Sequence, residues 1–305
     1  MIRGVHSLLL ACALLVTSPS RSEAILQARP VVFSHRGFAQ AFPEQGLGRD
    51  TCTAELIYPP VHRFLENTLP SMAEAFKHNA DIVEIDVHAT AEGQIVVFHD
   101  WRLECRTDGA GVTVEKALAY LRSLDIGYGY TSDGHRTHPF RCVRGAPDFE
   151  ECRSRNQMPL LAEVLKMFPT KRFAVNMKSG RPETFRILVS ELKRLSAELG
   201  YDLRNLAFYC SKEEFNALMR KELPEVDSPE LTRKKVKACL AGYFQSEGFE
   251  SGCENGDFAL SMAEYRSLGL RAPRLALDVR AIGGRLIVVG VDSAGELLTS
   301  PGIGI

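Results

Sequence analysis

Three things are missing from this chain. Beyond its first two dozen residues it has no apolar run long enough to cross a bilayer, which takes roughly 20 residues as a helix. It has no excess of either charge: 37 Lys and Arg stand against 38 Asp and Glu, for a net charge of -1. No electrostatic footprint therefore points to nucleic acid or to an anionic membrane. None of its cysteines falls in the C-x2-C spacing of a zinc site. Repeats, low-complexity tracts and Gly/Ser linkers are also absent, which favours one domain in a chain of 305 residues.

The first residues read as an export signal. Arg3 supplies a small positive region, Ser7 to Val16 an apolar stretch of secretory length, and Ser22-Glu23-Ala24 the small residues that a signal peptidase reads. Residues 1–24 are the expected signal peptide and 25–305 the exported domain, periplasmic or extracellular. Leu9-Leu10-Ala11-Cys12, a loose lipobox, is the alternative. Export permits disulfides. Cys142–Cys152 and Cys239–Cys253 are candidate local bridges, and Cys52–Cys105 would join two loops and leave Cys210 over. Several buried, unpaired cysteines are the competing reading.

Strand-like and helix-like runs alternate. Strands are expected at 31–35, 81–89, 94–99, 172–177, 205–210, 274–279 and 285–292. Helices are expected from Asn67 or Thr68 to Phe76, and over 113–123, 159–168, 183–199, 212–222 and 230–244. Residues 127–157 read as irregular. This order argues for a parallel sheet, either a (β/α)8 barrel or a doubly wound open sheet.

The chemistry sits at strand ends. Glu84 and Asp86 are two apart on a strand, so both side chains leave one face. Their mutual repulsion is relieved by a hard divalent cation or by buried Arg or Lys partners. His35 and His99 each end an apolar run, a setting that suits general acid and base. A lone histidine so placed is more often structural, and His88 is read that way. Arg36 can hold a phosphoryl oxygen bidentately.

These residues resemble the glycerophosphodiester phosphodiesterases. The match runs through His35-Arg36-Gly37, Glu66-Asn67-Thr68, Glu84-Ile85-Asp86-Val87, Val96-Val97-Phe98-His99-Asp100, Leu103 and Arg106-Thr107. It continues through Leu124-Asp125-Ile126-Gly127 and Pro159–Leu165, and it is good over 31–180. The resemblance implies a single-domain TIM barrel with its site at the C-terminal ends of the strands. It implies His35 and His99 as the acid/base pair and Glu84 and Asp86 as ligands of Ca2+ or Mg2+. Members usually supply a further Glu in an E-[IL]-K motif, where this chain has Asn176-Met177-Lys178. Asn176 and Glu66 are thus candidate third ligands, and Lys178 a candidate phosphate partner.

Two departures stand out. A long insertion, about 38–65, follows the first strand and carries Phe42, Cys52, Tyr58, Pro59 and Pro60. It either shapes the substrate mouth or is a disulfide-pinned structural loop. The chain ends Pro301-Gly302-Ile303-Gly304-Ile305, unlike the family's closing strand. The expected activity is metal-dependent hydrolysis of a small-molecule glycerophosphodiester to glycerol 3-phosphate and an alcohol. Its rivals are a lipid-directed phosphodiesterase of the lysophospholipase D or sphingomyelinase D kind, and a secreted barrel that binds without catalysis.

Overall fold

The computed structural model describes residues 31–43, 46–48, 51–269 and 271–289. The expected signal peptide, Cys12 and the C-terminal segment from 290 lie outside the described residues.

The sheet is built on β2 (Ile82–Ala89). It pairs in parallel with β1 (Phe33–Ser34) on one edge and β4 (Arg172–Met177) on the other. β5 (Leu206–Cys210) follows β4, also in parallel. Because β1 is two residues long, the rest of that edge of β2 is free. The antiparallel β3 (Ile95–Val97) fills it, placing Val97 opposite Val87. The 94–99 run is therefore a hairpin return after the Glu92-Gly93 turn and not a parallel barrel strand. Gly93 sits at φ +80°, which a side chain would resist.

A second parallel pair joins β6 (Asp257–Ser261) to β7 (Arg285–Val289). Between the two sheets, Asp227 makes a parallel bridge to Ala207 of β5. Arg285 then reaches both Asp257, at 2.6 Å, and Asp227. The β/α succession of a barrel is present, with the strand ladder open among the described residues.

The helices are α1 (Leu69–Lys77), α2 (Leu118–Arg122), α3 (Phe149–Arg155), α4 (Leu161–Met167) and α5 (Pro182–Leu199). After them come α6 (Glu214–Glu222), α7 (Arg233–Ser246), α8 (Met262–Ser267) and α9 (Arg271–Ala281). Thr68 caps α1, its hydroxyl accepting the Ser71 N–H at 3.3 Å. Three expectations are corrected. Residues 274–279 are helix, because Ala272, Leu275, Ala276 and Val279 bury one helical face and Arg274 pairs with Asp278 one turn on. The strand there is instead 257–261. The 127–157 stretch contains α3, whose Cys152 is bonded to Cys142.

The sheet has two unlike faces. Val83, Ile85, Val87, Phe173, Val175, Met177, Leu206 and Phe208 point outward into a core completed by Leu188 and Leu192 of α5 and Met219 of α6. Each such side chain contributes about 1.5–3 kcal/mol of burial. The opposite, inward face carries Glu84, Asp86, Asn176 and Tyr209, so the alternation that builds the core also delivers the polar set.

The insertion packs a core of its own. Ala54, Ile57 and Leu65 meet Phe98, Leu103, Leu121, Tyr130 and Phe140. Cys52–Cys105, Cys142–Cys152 and Cys239–Cys253 all lie at disulfide distance, and Cys210 is free and buried. These pairs, and the absence of a membrane-spanning helix among the described residues, are compatible with export.

Candidate active site

Two backbone kinks aim the first group of residues. Arg36 (φ 61°) and Asn67 (φ 58°) both adopt the left-handed conformation, and the Asn67 N–H donates to the Arg36 carbonyl at 2.8 Å. Gly37 follows at φ +80°, and a Cβ there would lie 2.6 Å from Ser71 Oγ. The glycine thus lets the first turn of α1 pack against the end of β1. The kink directs the Arg36 backbone N–H to Glu84 Oε2 at 3.1 Å and its side chain inward to Glu66 at 3.1 Å and Asp86 at 3.3 Å.

β2, β4 and β5 deliver the centre. Asp86 lies beside Asn176, and Asn176 beside Tyr209, across the parallel ladders. Asp86 is held on all sides. The Asn67 amide donates to Oδ2 at 2.9 Å, the Asn176 amide donates to Oδ1 at 3.0 Å, and Lys178 Nζ lies 3.5 Å from Oδ1. Tyr209 donates its hydroxyl to Glu84 Oε1 at 2.8 Å. Burial first, and then the Asp86 charge, push the Glu84 carboxyl above the ordinary carboxylate range. Burial acts the same way on Asp86, but Arg36 and other neighbouring cationic groups overcome it and hold that carboxyl low.

The two histidines flank this pair. His35 Nε2 stands 3.9 Å from Glu84 Oε2 and accepts from Arg36 Nε at 3.2 Å. Desolvation in the crowded mouth and the adjacent guanidinium lower His35 to about 4. Its side chain is still 59% exposed, and solvent there tempers the size of that shift while leaving its direction. His99 bonds Asp100 Oδ1 through Nδ1 at 2.6 Å and faces Lys178 Nζ through Nε2 at 3.0 Å. An ionised carboxylate only accepts, so Nδ1 carries the proton and Nε2 offers its lone pair to the ammonium.

Arg106 backs the assembly. It donates to Asp100 Oδ2, to Glu66 Oε1 at 3.0 Å and to Thr53 Oγ1 at 2.7 Å. Both Glu66 oxygens are committed to guanidinia, Arg36 and Arg106. Burial alone would raise the Glu66 carboxyl, but those two cations bring it down to about 2. Glu66, a candidate third ligand in the sequence, sits as the junction of an ion-pair network. His88 is fully buried, with Nε2 against the His99 carbonyl at 3.3 Å.

The structure therefore brings His35, Arg36, Glu66, Glu84, Asp86, His99, Asn176 and Lys178 together. Sequence reasoning set Asn67 at the site only as Glu66's neighbour, quoted Asp100 and Arg106 as motif residues without a role, and missed Tyr209. Tyr209 had a signal: in Leu206-Ala-Phe-Tyr-Cys the alternation places it on the face opposite Phe208. No cluster of three His, Cys, Asp or Glu donors forms among the described residues. The donor set nonetheless fits a divalent cation. Glu84 and Asp86 leave one strand face together, and their repulsion, which helps push Glu84 up, is what a divalent cation between them would relieve. Two carboxylates and an amide oxygen are the hard donors such an ion takes.

Over residues 35–236 the chain matches the glycerophosphoryl diester phosphodiesterase family, and it belongs to that family. A glycerophosphodiester phosphodiesterase of Bacillus subtilis is 37% identical over 120 residues, 39% of this chain and 37% of that one. Human lysophospholipase D is 26% identical over 140 residues, 44% of this chain and 38% of that one. The chain spans between about a third and 60% of the length of the first curated relatives it matches. Among solved structures, the glycerophosphoryl diester phosphodiesterase domain of an uncharacterized Mycobacterium tuberculosis protein superposes with a TM-score of 0.64 at 16% identity, covering 91% of this chain and 94% of that one. That likeness is one of fold, and structures of this family are TIM barrels.

Proposed function

We propose that the chain hydrolyses glycerophosphodiesters to glycerol 3-phosphate and an alcohol, with His35 and His99 as acid and base. One observation carries the reading: two imidazoles stand at one buried carboxylate pair, His35 at 3.9 Å from Glu84 and His99 linked to Asp86 through Lys178. His35, kept proton-free by its surroundings, suits the base that deprotonates the attacking hydroxyl. His99 suits the acid. When Lys178 turns from Nε2 to the incoming phosphate, Nε2 is released to take a proton from solvent, and it gives that proton to the departing alkoxide. Asp100 steadies the imidazolium, itself fixed by Arg106.

Arg36 and Lys178 are the phosphate partners. Glu84, Asp86 and the amide oxygen of Asn176 would hold Ca2+ or Mg2+, which supplies charge neutralisation at the non-bridging oxygens when bound. The attacking hydroxyl belongs to water or to the substrate's own glycerol, and a transient cyclic phosphate in the product time course separates the two.

The test is turnover of glycerophosphocholine by the full chain, with and without chelator. His35→Ala and His99→Ala are expected to cut it by about a hundredfold or more each. Unchanged turnover in either variant removes the assignment.

A second reading, lipid-directed cleavage, is favoured by one observation. Leu56, Tyr58 and Val61 of the insertion are exposed, Val61 at 94%. Turnover of lysophosphatidylcholine in preference to its deacylated head group would establish it. The expected signal peptide and the three cysteine pairs support action outside the cytoplasm.

A further inference from the structure

Two cations that the mechanism above does not use, Arg181 and Lys212, follow the ends of β4 and β5. Lys178, just past β4, lies against His99 and Asp86 and takes the scissile phosphate in that reading. Three residues on, Arg181 places its guanidinium carbon 4.8 Å from the centre of the Trp101 ring. Trp101 follows His99-Asp100 directly and is 40% exposed, so this stack stands at the rim of the site beside His99. From the end of β5, Lys212 lays its alkyl chain over Gly180, where a Cβ would lie 2.8 Å from Lys212 Cδ. Gly180 thus brings Lys212 against the turn after β4.

Among the described residues, Arg181 and Lys212 have no carboxylate within ion-pair distance. Two acids close in sequence are engaged elsewhere: Glu183 pairs with Arg186 at 3.0 Å, and Glu213 accepts the Arg233 N–H at 2.5 Å. The Trp101 ring restrains the Arg181 guanidinium at 4.8 Å from its centre, and a guanidinium so placed can still offer N–H groups to an anion.

We propose that Arg181 and Lys212 form a second anion subsite at the rim, selecting diesters whose alcohol carries a further anionic group such as a phosphate monoester. The inference rests on the phosphodiesterase reading, in which Lys178 and Arg36 take the scissile phosphate. The second anion then lies one turn of chain further out, between Arg181 and Lys212. The neighbouring alcohol leaves toward His99.

The chain's only tryptophan is Trp101, so its fluorescence reports on the subsite. The full chain is titrated with glycerol 1,3-bisphosphate and, separately, with glycerol 3-phosphate. The bisphosphate is expected to bind at least about tenfold more tightly and to change the Trp101 emission as Arg181 turns to the anion. In Arg181→Gln/Lys212→Gln that advantage falls to about twofold or less, with far-UV circular dichroism unchanged. Equal affinity of the unmodified chain for the two ligands overturns the proposal, as does a double variant that keeps the advantage. These affinities are read without catalysis, so a chain that cleaves no diester fails the reading of function while the subsite is still decided. Where turnover is present, the ratio of kcat/KM for a phosphate-bearing diester over glycerophosphocholine should fall about tenfold in the double variant.

Discussion

Asn67 grips Asp86 at both ends of its amide: the nitrogen donates to Asp86 Oδ2 at 2.9 Å, and the oxygen accepts the Asp86 backbone N–H at 3.0 Å. Both residues are buried. Asn67→Ala would leave that N–H without a partner and free the carboxylate to turn. We expect a loss of about 1–3 kcal/mol, read as a lower melting temperature, because a buried donor without an acceptor bears the full desolvation penalty. Turnover should fall about 10–100-fold, the usual effect of losing a group that orients a ligand. Unaltered turnover with unaltered melting would show that the strand alone positions Asp86.

Glu66 makes the acid stability of the fold predictable. Its folded carboxyl titrates near 2, against an ordinary value of 4.5. A depressed folded pKa contributes stability that is present above the ordinary value and is lost as pH falls toward the folded one. The difference corresponds to roughly 3 kcal/mol. Stability should therefore drop between about pH 5 and pH 2, and Glu66→Gln should flatten that part of the curve. The variant should also be less stable at neutral pH, since Arg36 and Arg106 would be buried without their shared counter-ion. Denaturant unfolding at several pH values checks both, and a variant with the original acid slope would exclude Glu66 as its source.

The link from the insertion to His99, the proposed acid, runs through one disulfide. Cys105 precedes Arg106, and Cys52 precedes Thr53, whose hydroxyl accepts from Arg106 at 2.7 Å. Arg106 in turn holds Asp100, which holds His99. Cys52→Ser/Cys105→Ser should cost about 2–4 kcal/mol by releasing the loop in the unfolded chain. It should also lower kcat more than it raises KM, because the side chain disturbed orients His99 and does not bind substrate. A loss of stability with kcat intact would make the bridge purely structural.

The acid limb of activity follows from His35. With its imidazole near 4, the base stays proton-free well below the ordinary value of 6.5. The rate should therefore hold as pH falls through 6.5 and decline only below it. Replacing the adjacent cation, Arg36→Gln, removes one of the two causes and should move that limb upward. A kcat/KM profile already halved at pH 6.5 in the unmodified chain would argue that His35 is not the base.

What the sequence could show depended on how local the cause was. Strand alternation exposed Glu84 and Asp86 on one face, and the runs ending at His35 and His99 were visible because each is short and apolar. The kinks at Arg36 and Asn67 were not, since left-handed backbone in a non-glycine residue is imposed by what packs on it. The Arg106–Asp100–His99 chain joins residues whose side chains meet only after the Cys52–Cys105 loops close. Residues 274–279 misled because Leu275, Leu277 and Val279 alternate as a strand would; adding Ala272 reveals the helical face that the core selects. The antiparallel direction of β3 followed from β1 being too short to cover β2, a fact of pairing and not of propensity.

Asn176 offers the sharpest test of the cation. Its amide donates to Asp86 Oδ1 at 3.0 Å, and it lies beside Asp86 in the ladder. Asn176→Asp would replace a donor by a carboxylate and set two like charges together in a buried place. Without a divalent ion the variant should melt lower than the unmodified chain, by roughly 2–4 °C for each kcal/mol lost. With Ca2+ or Mg2+ in excess the order should reverse, because a third charged oxygen donor tightens the ion and bound ion stabilises only the folded chain. The measurement is the rise in melting temperature on adding each ion, with chelated protein as the baseline. A rise no larger in Asn176→Asp than in the unmodified chain would place the cation away from Asp86.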